Sequence, residues 1–144
     1  TSSTNLLYGL SEAQDMLEEE GMDKVFARHQ RWAKGVRSAV QAWGLPIQCA
    51  DQNLYSPILT GVITPVGIDA DAVRQLIQKR FDMSLGTGLG KLKGRMFRIG
   101  HLGDSNDLTL LATLAGVEMG LKLSGVKVAA SGVQAAMDYF SATV

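Results

Sequence analysis

A single cysteine, two histidines and no net charge leave this chain of 144 residues short of the usual means of catalysis and recognition. Cys49 alone cannot form an intrachain disulfide. In a short apolar strand with no basic residue close by in sequence, it reads as a small buried side chain and not as a nucleophile. His29 and His101 lie far apart, so they make no metal-ligand set, and His29 on a basic helix is expected at the surface. No Gly-x-Ser-x-Gly elbow occurs. The charge balance, 14 Lys+Arg against 14 Asp+Glu, gives no reason to expect nucleic acid or an anionic membrane as a partner. No apolar run approaches the ~18 residues of a membrane span. The opening TSSTNLLYGL lacks the basic start of a signal peptide, and a cytoplasmic protein is the expectation. The chain does not open on methionine, which points to a start at a processing site or at a boundary within a longer protein.

Hydrophobic residues make up 46% of the chain, enough for a real core. Leu6, Leu7, Leu10, Ala13 and Leu17 recur at three- and four-residue steps, which predicts a helix from about Thr4 to Glu20, stopped by Gly21. A second helix is predicted from about Met22 to Trp43, with Val25, Phe26, Trp32, Val36, Ala39 and Val40 inward. Ile47 to Cys49 and Ile58 to Ile63 read as strands. Asp69 is a plausible N-cap for a helix from Ala70 to Phe81. Met83 to Leu85 and Met96 to Ile99 suggest two more strands. A long helix follows from about Ser105 to Leu123, with Leu108, Leu111, Ala112, Ala115 and Met119 inward and Asp104, Ser105 and Asn106 competing for its cap. Val133 to Phe140 reads as a last helix on the surface. The order implies an α/β sandwich with one core, in which two long helices precede a small helix-covered sheet.

Charge on the first two helices is segregated. Glu12, Asp15, Glu18, Glu19, Glu20 and Asp23 crowd the first, whereas Lys24, Arg28, Arg31, Lys34 and Arg37 stripe the second. Solvated, partly salt-bridged faces explain this better than a nucleic-acid surface, because no aromatic residues interleave with the stripe. The glycine-rich SLGTGLGKLKG fails as a phosphate loop, since Gly90-Lys91 is followed by Leu92. Both a mobile loop and a loop bordering a ligand site remain open for it.

Arg98 stands inside an apolar run. In a strand, Phe97 and Ile99 point one way and Met96 and Arg98 the other. Two readings fit: a solvent-facing strand arginine, or a guanidinium fork on a rigid strand that binds a carboxylate with two hydrogen bonds.

Three stretches carry a resemblance: TSSTNLLYGLSEAQDMLEEEGMDKVFARHQR, YSPILTGVITPVGIDADAVRQLI and FDMSLGTGLGKLKGRMFRIGHLGDSNDLTLLATLAGVEMGL. They resemble the C-terminal part of class V aminotransferases, in the serine–glyoxylate and alanine–glyoxylate branch. The run from Arg98 to Gly103 is the most specific part. The resemblance implies a pyridoxal-phosphate enzyme of fold type I, a homo-oligomer that moves an amino group from serine or alanine to glyoxylate or a similar oxoacid. It implies a small, mostly antiparallel sheet covered by helices, with residues 1–43 as connecting helices and residues 44–144 as the small C-terminal domain. Arg98 is then the grip on the substrate α-carboxylate, and Thr1 falls where the family touches the cofactor phosphate of the partner subunit. The family's imine lysine and ring-holding residues lie in a large domain that this chain lacks, so the chain alone is expected to bind no cofactor and to be inactive. The alternative is a non-catalytic domain, free-standing or truncated, serving folding, dimerisation or small-carboxylate binding.

Overall fold

A computed structural model describes residues 2–143. It places α1 at Thr4–Glu20, α2 at Met22–Ala42, β1 at Leu59–Ile63 and α3 at Ala70–Phe81. Then follow β2 at Gly86–Thr87, β3 at Met96–Gly100, α4 at Asp107–Leu123 and α5 at Gly132–Ala142. The three strands form one antiparallel sheet in the order β1-β3-β2. The architecture is the small helix-covered sheet that the sequence implies. No helix among the described residues is long and apolar enough to cross a membrane.

The sheet owes its two faces to alternation. Thr60 and Val62 of β1 and Phe97 and Ile99 of β3 turn toward the helices and are buried. There they meet Val36, Val40 and Trp43 of the α2 end, Ile77 of α3, and Leu114 and Leu121 of α4. Fully burying side chains of this size contributes about 1.5–3 kcal/mol each. The other sheet face carries Leu59, Gly61, Met96 and Arg98 and is left without a helix layer.

Several elements differ from expectation for identifiable reasons. Ile47 alone bridges to Val62, and no strand continues through Cys49. The strand expected at Met83 to Leu85 lies instead at Gly86–Thr87, because Leu85 turns into the core while Gly86 pairs with Arg98. Helix α4 buries Leu110, Leu114, Val117 and Leu121, while Leu108 is 76% exposed and Met119 46%. That helix is apolar nearly all round, so spacing alone does not choose its inward face. Close approach chooses it: a Cβ on Gly120 would lie 2.2 Å from Ile77 Cγ1 of α3. Helix α5 is not laid on the surface but lies along α2, with Gly132, Ala136 and Phe140 buried.

Helix α1 buries none of its residues. Its stripe of Leu6, Leu7 and Leu10 has the spacing of a buried face yet stands exposed. Gly21, at φ 87, turns the chain sharply into α2, a backbone conformation that a Cβ disfavours. Phe26, expected inward, is 55% exposed.

One buried carboxylate ties the helix layer together. Glu118 Oε2 accepts from Trp43 Nε1 at 3.0 Å, Gly132 N at 2.9 Å and Val133 N at 3.3 Å. Its Oε1 accepts from Lys122 Nζ at 2.6 Å. Burial alone would raise this pKa, but the Lys122 and Trp43 hydrogen bonds and the α5 backbone outweigh it and hold it at about 2. A folded pKa below the ordinary 4.5 contributes stability above that pH, and the contribution is lost as pH falls toward 2. The size is on the order of 3 kcal/mol. Urea unfolding at pH 7 and pH 3 should therefore show a smaller acid loss in Glu118→Gln than in the native chain, the remainder coming from other carboxylates held below their ordinary values, Asp107 and Asp71 among them. An unchanged pH dependence in that variant would remove Glu118 as the cause.

Candidate functional site: a guanidinium between two glycines

Strand β3 is central, so Arg98 has a neighbour on each side: Gly61 of β1 and Gly86 of β2 pair with it directly. Neither flank carries a side chain. The Arg98 arm lies over β2, where a Cβ on Gly86 would be 2.9 Å from its Nε and 3.0 Å from its Cβ. Nε is buried and has no hydrogen-bond partner. Among the described residues no carboxylate forms an ion pair with this guanidinium. Leaving a buried donor unmatched costs about 1–3 kcal/mol, and more on a charged group.

The site is a cavity of ≈ 210 Å³ lined by Arg98, Arg37, Gln48, Cys49, Tyr55, Ser56, Gly61 and Met96. Arg37 donates from Nη1 to Ser56 O at 3.2 Å, and its Cζ lies 5.0 Å from the Tyr55 ring centroid. Burial lowers the Arg37 pKa, though a guanidinium stays charged at neutral pH. No Asp or Glu lines the cavity. Two guanidiniums without a carboxylate make it a site for a small anion. A larger hollow of ≈ 460 Å³ opens between α1 and α2, but its cation, Arg28, is already paired with Glu20 at 2.6 Å.

Side chains behind the sheet fix the end of β3. His101 is fully buried, and burial above all pushes its pKa down to about 4. The ring is thus neutral. Pro57 O only accepts, so Nδ1–H donates to it at 3.1 Å and Nε2 accepts the Thr60 hydroxyl at 2.9 Å. His29, expected at the surface, is buried as well: Nδ1 donates to Val25 O at 2.7 Å and Nε2 accepts Gly103 N–H at 3.2 Å. Arg28 donates to Gly103 O at 2.7 Å. Asn106 wins the competition for the α4 cap through a reciprocal pair with Thr109, and Asp107 receives both arms of Arg31. The basic stripe is therefore a set of ties, with Lys24 and Lys34 its exposed members.

Arg98 stands out in the sequence, whereas the walls around it do not. Arg37 was hidden in the basic stripe, and Gly61 and Gly86 acquire meaning only from register. Cys49, expected buried, is half-buried at the cavity edge with its thiol 3.3 Å from Asp51 O. The glycine-rich segment borders the site and is anchored through β2. Thr1 lies outside the described residues. No group of three metal-ligating side chains gathers among the described residues.

Pyridoxal phosphate, which the resemblance implies, needs an imine lysine and a partner for its pyridine nitrogen. The cavity offers neither, since no lysine and no carboxylate lines it. Every lysine of the chain is exposed. The described residues thus give a small anion a cationic cavity but do not fit the cofactor.

No family model matches the chain. A serine–glyoxylate aminotransferase from Arabidopsis thaliana is 46% identical over 140 residues, covering 96% of this chain and 35% of the relative. Another from Hyphomicrobium methylovorum is 44% identical over 142 residues, covering 98% of this chain and 35% of the relative. In structure, pyridoxamine–pyruvate aminotransferase from Mesorhizobium loti superposes with a TM-score of 0.93 at 34% identity, covering 100% of this chain and 37% of its own. The chain thus spans about a third of the length of the proteins it matches. Sequence and fold together show that the chain belongs to the class V, fold-type I aminotransferases, as a C-terminal domain of the serine–glyoxylate branch.

Proposed function

We propose that this chain is the substrate-carboxylate grip of a pyridoxal-phosphate aminotransferase that moves an amino group from serine or alanine to glyoxylate or a similar oxoacid. The buried, unpartnered Nε of Arg98 at a carboxylate-free cavity carries the reading. The α-carboxylate of the amino acid takes the two parallel donors of the fork. That orients the substrate so that its α-hydrogen faces the catalytic lysine, which other residues of the enzyme supply. Pyridoxal phosphate, held by residues outside this chain, would supply the electron sink that such a proton removal needs. Held against a strand and not a loop, the fork loses little freedom on binding. Residues 1–43 serve as the connection and residues 44–144 as the small domain, with the inward face of α2 sharing that domain's core. The whole enzyme works in the cytoplasm as a homo-oligomer. By itself the chain is a carboxylate-binding, non-catalytic domain.

In the full-length transaminase, Arg98→Ala should lower kcat/KM for the amino donor by ~30-fold or more, corresponding to about 2–5 kcal/mol for a truncated charged pair. Arg98→Lys should recover only part of it, because an ammonium cannot form the planar fork. Cofactor absorbance should be retained in both, since Arg98 faces the cavity and not the core. A loss below about threefold in Arg98→Ala would return Arg98 to a plain strand arginine.

Treating the isolated chain with pyridoxal phosphate and borohydride should leave no specific adduct. A stoichiometric phosphopyridoxyl group on one lysine, located by peptide mapping, would overturn the division of labour. The exposed α1 stripe of Leu6, Leu7 and Leu10 supports a covered surface here, because monomers rarely expose a contiguous apolar face of that kind. Sedimentation of the isolated chain at micromolar concentration should show self-association, and a clean monomer would count against it.

A further inference from the structure

We infer that Gly86 is a positioning residue for Arg98: the bare backbone of β2 is the bed on which the guanidinium arm lies, and it sets the direction of the fork. The inference rests on the carboxylate-grip reading and deepens it.

Contact geometry separates the two glycines beside Arg98. A Cβ on Gly61 would meet Met96 Cε at 2.7 Å and Gln48 Cβ at 3.2 Å, with Arg98 not among its nearest atoms. The three atoms nearest to a Cβ on Gly86 would all belong to Arg98: Nε at 2.9 Å, Cβ at 3.0 Å and Cζ at 3.4 Å. The arm therefore rests on the β2 side. The contact with Nε is relieved by turning the arm about its own torsions, whereas the contact with Cβ, which the β3 backbone fixes, is relieved only by a small shift of β2.

Moving β2 is resisted. The strand has two residues, too few to hold itself, and a clamp from α3 holds it instead. Arg74 Nε donates to Leu85 O at 2.8 Å, and its Nη1 donates to Asp71 Oδ1 at 2.9 Å. The same Asp71 oxygen accepts the Thr87 hydroxyl at 2.8 Å. Gly88 N–H donates to Met96 O at 3.2 Å just beyond the strand. Leu85 is buried in the core immediately before it. With β2 held at both ends, a side chain at position 86 acts on Arg98. Turning the arm displaces a fork whose two bonds to a carboxylate depend on direction as well as distance.

A double-mutant cycle in the full-length transaminase tests this, with L-alanine as the donor probed. Gly86→Ala should lower kcat/KM about tenfold while cofactor absorbance is retained. In an Arg98→Ala background the same change should cost less than about twofold, since there is no arm left to displace. A general disturbance of the sheet would cost the same in both backgrounds, and that additivity would overturn the inference. So would a Gly86→Ala enzyme with unchanged kcat/KM beside an impaired Arg98→Ala enzyme, which leaves the grip reading standing. If Arg98→Ala is itself unimpaired, the grip reading falls and takes this inference with it. Asp71→Ala, which loosens the clamp without crowding the arm, gives a second route should Gly86→Ala fail to fold. It should cost about threefold with Arg98 present and nothing measurable without it, and equal costs in both backgrounds would again overturn the inference.

Discussion

A guanidinium that never loses its charge lies over the sheet with its Nε buried and no acceptor from its own chain. That is the constraint on which the rest of the structure turns. The arm is half-buried and forms no ion pair with a carboxylate, and β3 sits between two strands that both present glycine beside it. The buried face of the same strand, Phe97 and Ile99, locks its backbone to the helix layer. Charge is thus presented on one side of a strand by hydrophobic burial on the other. The cost of an unmatched donor is borne by the fold.

The helix layer has to be rigid for this to work, and its rigidity is partly polar. Glu118 gathers the indole of Trp43, the first backbone donors of α5 and Lys122, so α4, α5 and the end of α2 meet at one carboxylate. A negative charge at the start of α5 is also favoured by the helix dipole. At the other end of the sheet, His101 and His29 act as hydrogen-bonding blocks between β1, the segment after β3, and α2. The stretch from Arg98 to Asn106 is accordingly a strand, a pinned turn and a helix cap in succession.

Much of this was legible in the sequence where local signals agree. Helix α3 has an Asp69 cap and Val73 and Ile77 at helical spacing, and both boundaries match expectation. Arg98 was placed opposite Phe97 and Ile99 by period-two alternation alone. Legibility failed where the deciding contact is distant in sequence. Spacing could not orient α4, because apolar residues surround it and the close approach of Gly120 to Ile77 selects the face. His29 and Arg37 sit in a basic stripe whose plainest reading is solvent, and only the fold brings Gly103 and Ser56 to them. Gly86 looked like loop glycine because its partner lies twelve positions on. The stripe of α1 was legible as a face to be covered, yet no described residue covers it.

The central claim is that Arg98 reads a carboxylate, and the most direct measurement asks whether the enzyme knows that group through that side chain. In the full-length transaminase, kcat/KM would be compared for L-alanine and L-alaninamide, with Arg98 present and with Arg98→Ala. The account predicts that the native enzyme prefers the acid by ~30-fold or more, and that the variant treats the two within about threefold. A variant that keeps the native preference for the acid would contradict the account, because the carboxylate would then be read elsewhere.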